Sequence, residues 1–132
     1  KLKNASSERV IPIHPKLIEL GFLNFVKEHE KNNSQRLFSH LKLGSDGYIK
    51  NVSRFFNIKW LPEIGVKTSK KSFHSLRHTF ANELKQVGVN EQVASELLGH
   101  ASQSITYGRY GKESRVEILL KEISKIQIKI IR

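Results

Sequence analysis

The chain has 132 residues, no Cys and no Met, 38% hydrophobic and 27% charged residues, and a formal net charge of +11 from 23 Lys and Arg against 12 Asp and Glu. This is the balance of a globular domain with a real core rather than a disordered tail. It excludes disulfides, a thiolate zinc site and a cysteine nucleophile. Asp46 is the single Asp, which argues against a carboxylate-rich magnesium site. No apolar run approaches the ~18 residues of a membrane span, and no signal-peptide pattern is present. The basic excess points to a polyanionic partner, nucleic acid first and an anionic membrane surface second. The absence of Met, including at position 1, leads us to expect a portion of a longer protein.

Residues 1–8 are polar and turn-like. Arg9-Val10-Ile11-Pro12-Ile13 is a strand candidate, with Pro12 marking an edge or a strand end. Residues 1–3 could supply the first arm of a hairpin turning through residues 4–7. Pro15 suits the first turn of a helix carried by Leu17, Ile18, Leu20, Leu23, Phe25 and Val26, with a break or kink at Gly21. The Gly44-Ser45-Asp46-Gly47 turn launches a second helix on Tyr48, Val52, Phe55, Phe56 and Trp60, stopped by residues 62–65.

Residues 66–71 form a basic connector. Ser72 is the expected N-cap of a helix ending at Gly88. Asn90 caps the next helix, whose Val93, Ala94, Leu97 and Leu98 form one stripe before Gly99. A short helix or turn over residues 102–110 is followed by a last helix from about Lys112. Its apolar side comprises Val116, Leu119, Leu120, Ile123, Ile126 and Ile130. The expected fold is mostly α, a single domain over residues 1–132, with a small β-hairpin or short strands near the N-terminus.

The helix after Ser72 carries the chemistry. At ~100° per residue, Leu76, Phe80, Leu84 and Val87 form its buried stripe. Arg77 lies beside that stripe and His74 one step further round, while His78 points most nearly away. A guanidinium at the border of core and solvent can aim its fork of donors at an anion while its stem stays packed. An imidazole beside it can move a proton near neutral pH. Taken alone, His-x-x-Arg reads as a solvated basic face. His100, at the turn after Leu97-Leu98-Gly99, and Tyr110, ten residues later, change that reading.

Taken together, His74-Ser75-Leu76-Arg77-His78, then Leu98-Gly99-His100, then Tyr110 resemble the tyrosine recombinase (phage integrase) family in residue types, order and intervals. The resemblance runs from the expected hairpin to about Gly111; the last helix matches only in general character. It implies the truncated, C-terminal portion of a DNA breaking-rejoining catalytic domain. It implies site-specific recombination, with Tyr110 as nucleophile, Arg77 binding non-bridging phosphate oxygens, His100 donating to the phosphate and His74 handling the tyrosine proton. In the family a hairpin Lys protonates the leaving 5′-oxygen. Here Lys3 fits by its distance to the strand, and Lys1 fits by likeness to a Lys-Thr-Lys pattern in which Leu2 replaces Thr. Neither cofactor nor metal is implied. The family's first catalytic arginine, its partner acid and its N-terminal DNA-clamping domain are not among these residues.

The partner so implied is double-stranded DNA at a recombination site, in the bacterial cytoplasm and nucleoid, with no membrane. The resemblance also implies a phage or other mobile-element setting and an oligomer on DNA, with the last helix as a possible link between subunits. Two readings compete. One is a non-catalytic basic helix-turn-helix module over residues 89–110, with residues 102–109 as recognition helix. The other is a basic RNA-binding protein, which would want exposed aromatics on a sheet. A type IB topoisomerase shares the chemistry, but the Leu98-Gly99-His100 segment favours the recombinase.

Overall fold

The computed structural model describes residues 9–44, 47–100 and 114–128. Its elements are helical: α1 (Pro15–Glu19), α2 (Phe22–Lys31), α3 (Ile49–Phe55), a π-helical turn (Phe56–Trp60), α4 (Leu61–Glu63), α5 (Ser75–Gln86), α6 (Glu91–Leu98) and α7 (Val116–Ile123). The one β feature among the described residues is an isolated antiparallel bridge between Gly44 and Gly47. Residues 9–13, expected as a strand, lie in neither strand nor helix. A strand needs a neighbour to fill its ladder, and the expected partner, residues 1–3, lies outside the described residues.

The chain divides into two compact units. The first comprises Lys1–Leu20 with Phe80–Arg132, and the second Gly21–Thr79. In the first unit, Leu84, Val89, Leu97, Leu98, Leu119, Ile123 and Ile126 form the core, with Phe80, Ala81, Val87, Val93 and Ala94 packed against it. Two glycines shape this core by ending helices in the same way. Gly88 (φ 72°) and Gly99 (φ 69°) both take the left-handed conformation, which an L side chain resists. After α5, Val89 N–H donates to the Leu84 carbonyl at 3.0 Å and Gly88 N–H to Lys85 at 3.1 Å. After α6, His100 N–H donates to Ser95 at 2.9 Å and Gly99 N–H to Glu96 at 3.1 Å. Both are Schellman motifs. Asn90 caps α6 as expected, its side chain accepting from Gln92 N–H at 2.9 Å.

The last helix docks on its own unit through Leu119 and Ile123, and Ile126 is buried from the turn beyond it. It is shorter than expected. Ser114 and Arg115 precede it without helical structure, and it ends at Ile123. The alternating Ile126, Ile128 and Ile130 pattern is stiff at χ1 and favours extended backbone over helix. Ile130 lies outside the described residues.

Gly21 (φ 88°), the first residue of the second unit, separates α1 from α2, the break that the sequence leads one to expect. The helix from Tyr48 is not one continuous α-helix: it passes through the π turn before Pro62 and Gly65 close it. Leu61 is the buried hydrophobic side chain of this unit among the described residues. Aromatic contacts supply much of the remaining packing: Phe25 lies 5.9 Å from Phe38 and Phe56 lies 4.7 Å from Trp60, between ring centroids.

Candidate active site

The entry to α5 is built by the π turn. Asn57 Oδ1 accepts from Phe73 N–H at 2.7 Å, and its Nδ2 donates to Ser53 Oγ at 3.3 Å. The Phe73 ring meets Phe56 edge-on at 5.1 Å. The extra residue of a π turn re-aims the side chains that follow, and such bulges concentrate at functional sites. Here it fixes the residue immediately before His74.

Ser72, the expected N-cap, lies three residues before α5 and joins its entry through its backbone, in the reverse half of a capping box. The Ser75 hydroxyl accepts from the Ser72 N–H at 3.0 Å, while Ser75 N–H donates to the Ser72 carbonyl at 2.9 Å. Leu76 and Arg77 N–H then bond back to Phe73 and His74 over three residues, a tight first turn.

His74 is exposed and Arg77 half-buried. Among the described residues the Arg77 guanidinium has no partner, which leaves its donors available to an anion. The His74 ring packs edge-on against His78, with centroids 4.9 Å apart and planes at 82°. The helical wheel set His78 away from the site flank, but residues four apart are neighbours on a helix. The expected buried stripe holds only in part. Leu84 is fully buried and Phe80 and Val87 pack on the core, whereas Leu76 is 50% exposed.

His100 lies in the first unit, exposed, at the end of the Schellman turn that closes α6. That turn has a second support absent from the sequence reading. Arg9 donates to the Leu97 carbonyl at 3.4 Å, and its guanidinium occupies the space into which a Cβ on residue 99 would project. Beyond residue 113 the chain returns to the same helix, where Glu96 Oε2 accepts from Ser114 N–H at 2.9 Å. Residues 101–113, which contain Tyr107 and Tyr110, lie outside the described residues but are flanked on both sides by attachments to α6. Lys1 and Lys3 also lie outside them.

The charged surface ahead of α5 is basic. Lys67, Lys70 and Lys71 are exposed on the connector, where Lys67 Nζ donates to the Lys71 carbonyl at 2.8 Å. No helix among the described residues is long and apolar enough to cross a membrane.

Comparison with known proteins agrees with these residues. The phage integrase family profile matches residues 2–116. A tyrosine recombinase XerC-like protein of Caldanaerobacter subterraneus subsp. tengcongensis is 32% identical over 126 residues, covering 82% of this chain and 29% of that protein. A tyrosine recombinase of Pseudothermotoga lettingae is 33% identical over 100 residues, 75% of this chain and 32% of its own length. Tyrosine recombinase XerC of Proteus mirabilis is 31% identical over 109 residues, 80% of this chain and 34% of its own length. The chain therefore spans about a third of the length of the curated relatives it matches. No solved structure matches it. With the family profile covering residues 2–116, most of the chain, the chain belongs to the phage integrase family.

Proposed function

We propose that these residues are the C-terminal portion of the catalytic domain of a site-specific DNA recombinase that works through a 3′-phosphotyrosyl intermediate on Tyr110. The observation that carries this reading is the family match over residues 2–116, a span containing Lys3, His74, Arg77, His100 and Tyr110 together. The net charge of +11 and the lysines before α5 supply the electrostatics that duplex DNA requires.

In the proposed reaction the Tyr110 phenol gives up its proton, with His74 receiving it, and its oxygen bonds to the scissile phosphorus. The P–O5′ bond breaks, and the departing 5′-oxygen takes a proton from Lys3, or from Lys1 in its place. A 5′-hydroxyl from the partner strand then reverses the step and releases the tyrosine. The phosphoester bond is conserved throughout, so no nucleotide hydrolysis is required, and two transesterifications replace one difficult exchange. The transition state gathers negative charge on the non-bridging oxygens. Donors from Arg77 and His100 stabilise it more than the ground state.

The reading places the protein on DNA in the bacterial cytoplasm, as an oligomer on its target, and in a phage or other mobile element. These residues by themselves react slowly, because the family's other catalytic arginine must join them. Losing one such preorganised donor costs ~10²–10³ in rate. The test is covalent capture on a nicked suicide duplex, resolved on a denaturing gel. A protein–DNA adduct that is lost with Arg77→Ala and greatly increased in the full-length protein supports the reading. Salt-dependent DNA binding with no adduct from the full-length protein would shift the assignment to a non-catalytic DNA-binding module.

A further inference from the structure

We infer that Arg9 is a positioning residue for His100, acting through Gly99. The inference rests on the reading of His100 as a phosphate donor, and it concerns what holds that imidazole in place.

The Schellman turn satisfies the carbonyls of Ser95 and Glu96 and leaves those of Leu97 and Leu98 at the end of α6 without intrahelical partners. The Arg9 guanidinium donates to the Leu97 carbonyl at 3.4 Å. A cation at this end of a helix also meets the negative pole of the helix dipole. The hydrogen bond is long, and a second contact accompanies it. A Cβ built on Gly99 would collide with Nη1, Cζ and Nε of Arg9, so the planar guanidinium lies against the bare backbone of residue 99. Gly99 thus serves two purposes that can be separated. It permits φ 69°, and it opens the slot that the guanidinium fills. His100 is the next residue, and its N–H is the outer bond of the turn. Arg9 belongs to the segment leading from the Lys3 region. One side chain therefore ties the segment after the proposed general acid to the turn that presents the proposed phosphate donor.

The experiment uses Arg9→Ala, Arg9→Lys, Gly99→Asn and the double variant Arg9→Ala/Gly99→Asn in this chain. Asn tolerates the left-handed conformation better than other side chains, so Gly99→Asn mainly tests the slot. The first readout is amide hydrogen exchange at Gly99 and His100, with Val89, in the equivalent turn after α5, as internal control. Arg9→Ala should speed exchange at residues 99 and 100 by about tenfold, the scale of a hydrogen bond to a charged donor, and leave Val89 unchanged. Arg9→Lys should restore part of the protection. Gly99→Asn should show the same loss, and Arg9→Ala should add little to it, because both remove one contact. The second readout is the adduct rate of the full-length protein at saturating DNA. It should fall about tenfold with Arg9→Ala and recover in part with Arg9→Lys.

Unchanged protection of residues 99 and 100 in Arg9→Ala, or strictly additive losses in the double variant, overturns the inference. So does an adduct rate indifferent to Arg9 in a protein that forms adduct. If the unmodified full-length protein forms none, the catalytic reading fails, and the exchange measurements alone decide whether Arg9 holds the turn.

Discussion

His14 and Ile126 are joined across 112 positions of sequence by a hydrogen bond of 3.0 Å between the imidazole Nε2 and the backbone carbonyl. The other ring nitrogen is also engaged: Nδ1 accepts from Lys16 N–H at 3.0 Å and caps α1. An acceptor at Nδ1 requires the neutral ring with its proton on Nε2, which then donates to Ile126. One buried side chain thus starts the first helix and anchors the chain after the last. His14→Ala should destabilise the protein by about 2 kcal/mol, from an orphaned buried carbonyl and a lost cap. His14→Asn should lose less, because Asn is a good N-cap but is too short to replace the second bond. Urea titration of both variants with an unchanged m-value checks the order. Equal losses would show that the bond to the Ile126 carbonyl, and not the cap, carries the stabilisation.

Leu84 and Leu76 separate the parts of α5 that do and do not bear on the core. Leu84 has no exposed surface, whereas Leu76 is 50% exposed. Leu84→Ala should cost about 3 kcal/mol, within the usual range for a buried leucine. Leu76→Ala should stay within about 0.5 kcal/mol, the scale of a surface change. Similar losses at the two positions would mean that the Leu76 side chain is covered in solution.

The features legible in the sequence are those with a local cause. Gly21, Gly88 and Gly99 end or interrupt helices because they alone take a positive φ without strain, and Asn90 caps because its side chain reaches an N–H two residues on. The residues that the sequence could not place depend on partners distant in the chain. Asn57 creates the π turn's link to Phe73, and Arg9 finds its slot at Gly99. Leu76 fits the helical stripe as well as Leu84 does, and periodicity carries no information on where along a helix the core stops. The proposed site residues rest on order and interval in the sequence. The exposure and contacts of His74, Arg77 and His100 were added by the structure.

Binding to duplex DNA should be weakly sequence-dependent and strongly dependent on salt. The net charge is +11, and the basic connector before α5 is exposed. If this chain neutralises about 4 phosphates, the slope of log affinity against log salt is about −3.6. A titration from low to moderate salt on two unrelated duplexes measures both properties. Affinity that is flat in salt would remove the electrostatic basis of the proposed DNA interface.

Tyr110, rather than Tyr107, should be the nucleophile. The two lie three residues apart, so on a helical turn either could approach the same phosphate. Tyr110 follows His100 by ten residues and Tyr107 by seven, and the resemblance to the family favours nine or ten. Gly108 and Gly111 lie close on either side of Tyr110 in the sequence, and glycine tolerates backbone conformations that other residues resist. The described structure adds that the chain on both sides of this segment attaches to α6, at His100 through the Schellman turn and at Ser114 through Glu96. A free phenol titrates near pH 10, so attack at neutral pH needs a proton acceptor or a cationic site beside it, and His74, Arg77 and His100 are the proposed suppliers. Tyr→Phe at each position in the full-length protein, scored on a suicide substrate, separates the roles. Tyr110→Phe should abolish the covalent adduct, and Tyr107→Phe should only slow its formation. Adduct that survives Tyr110→Phe and disappears with Tyr107→Phe would transfer the nucleophile to Tyr107.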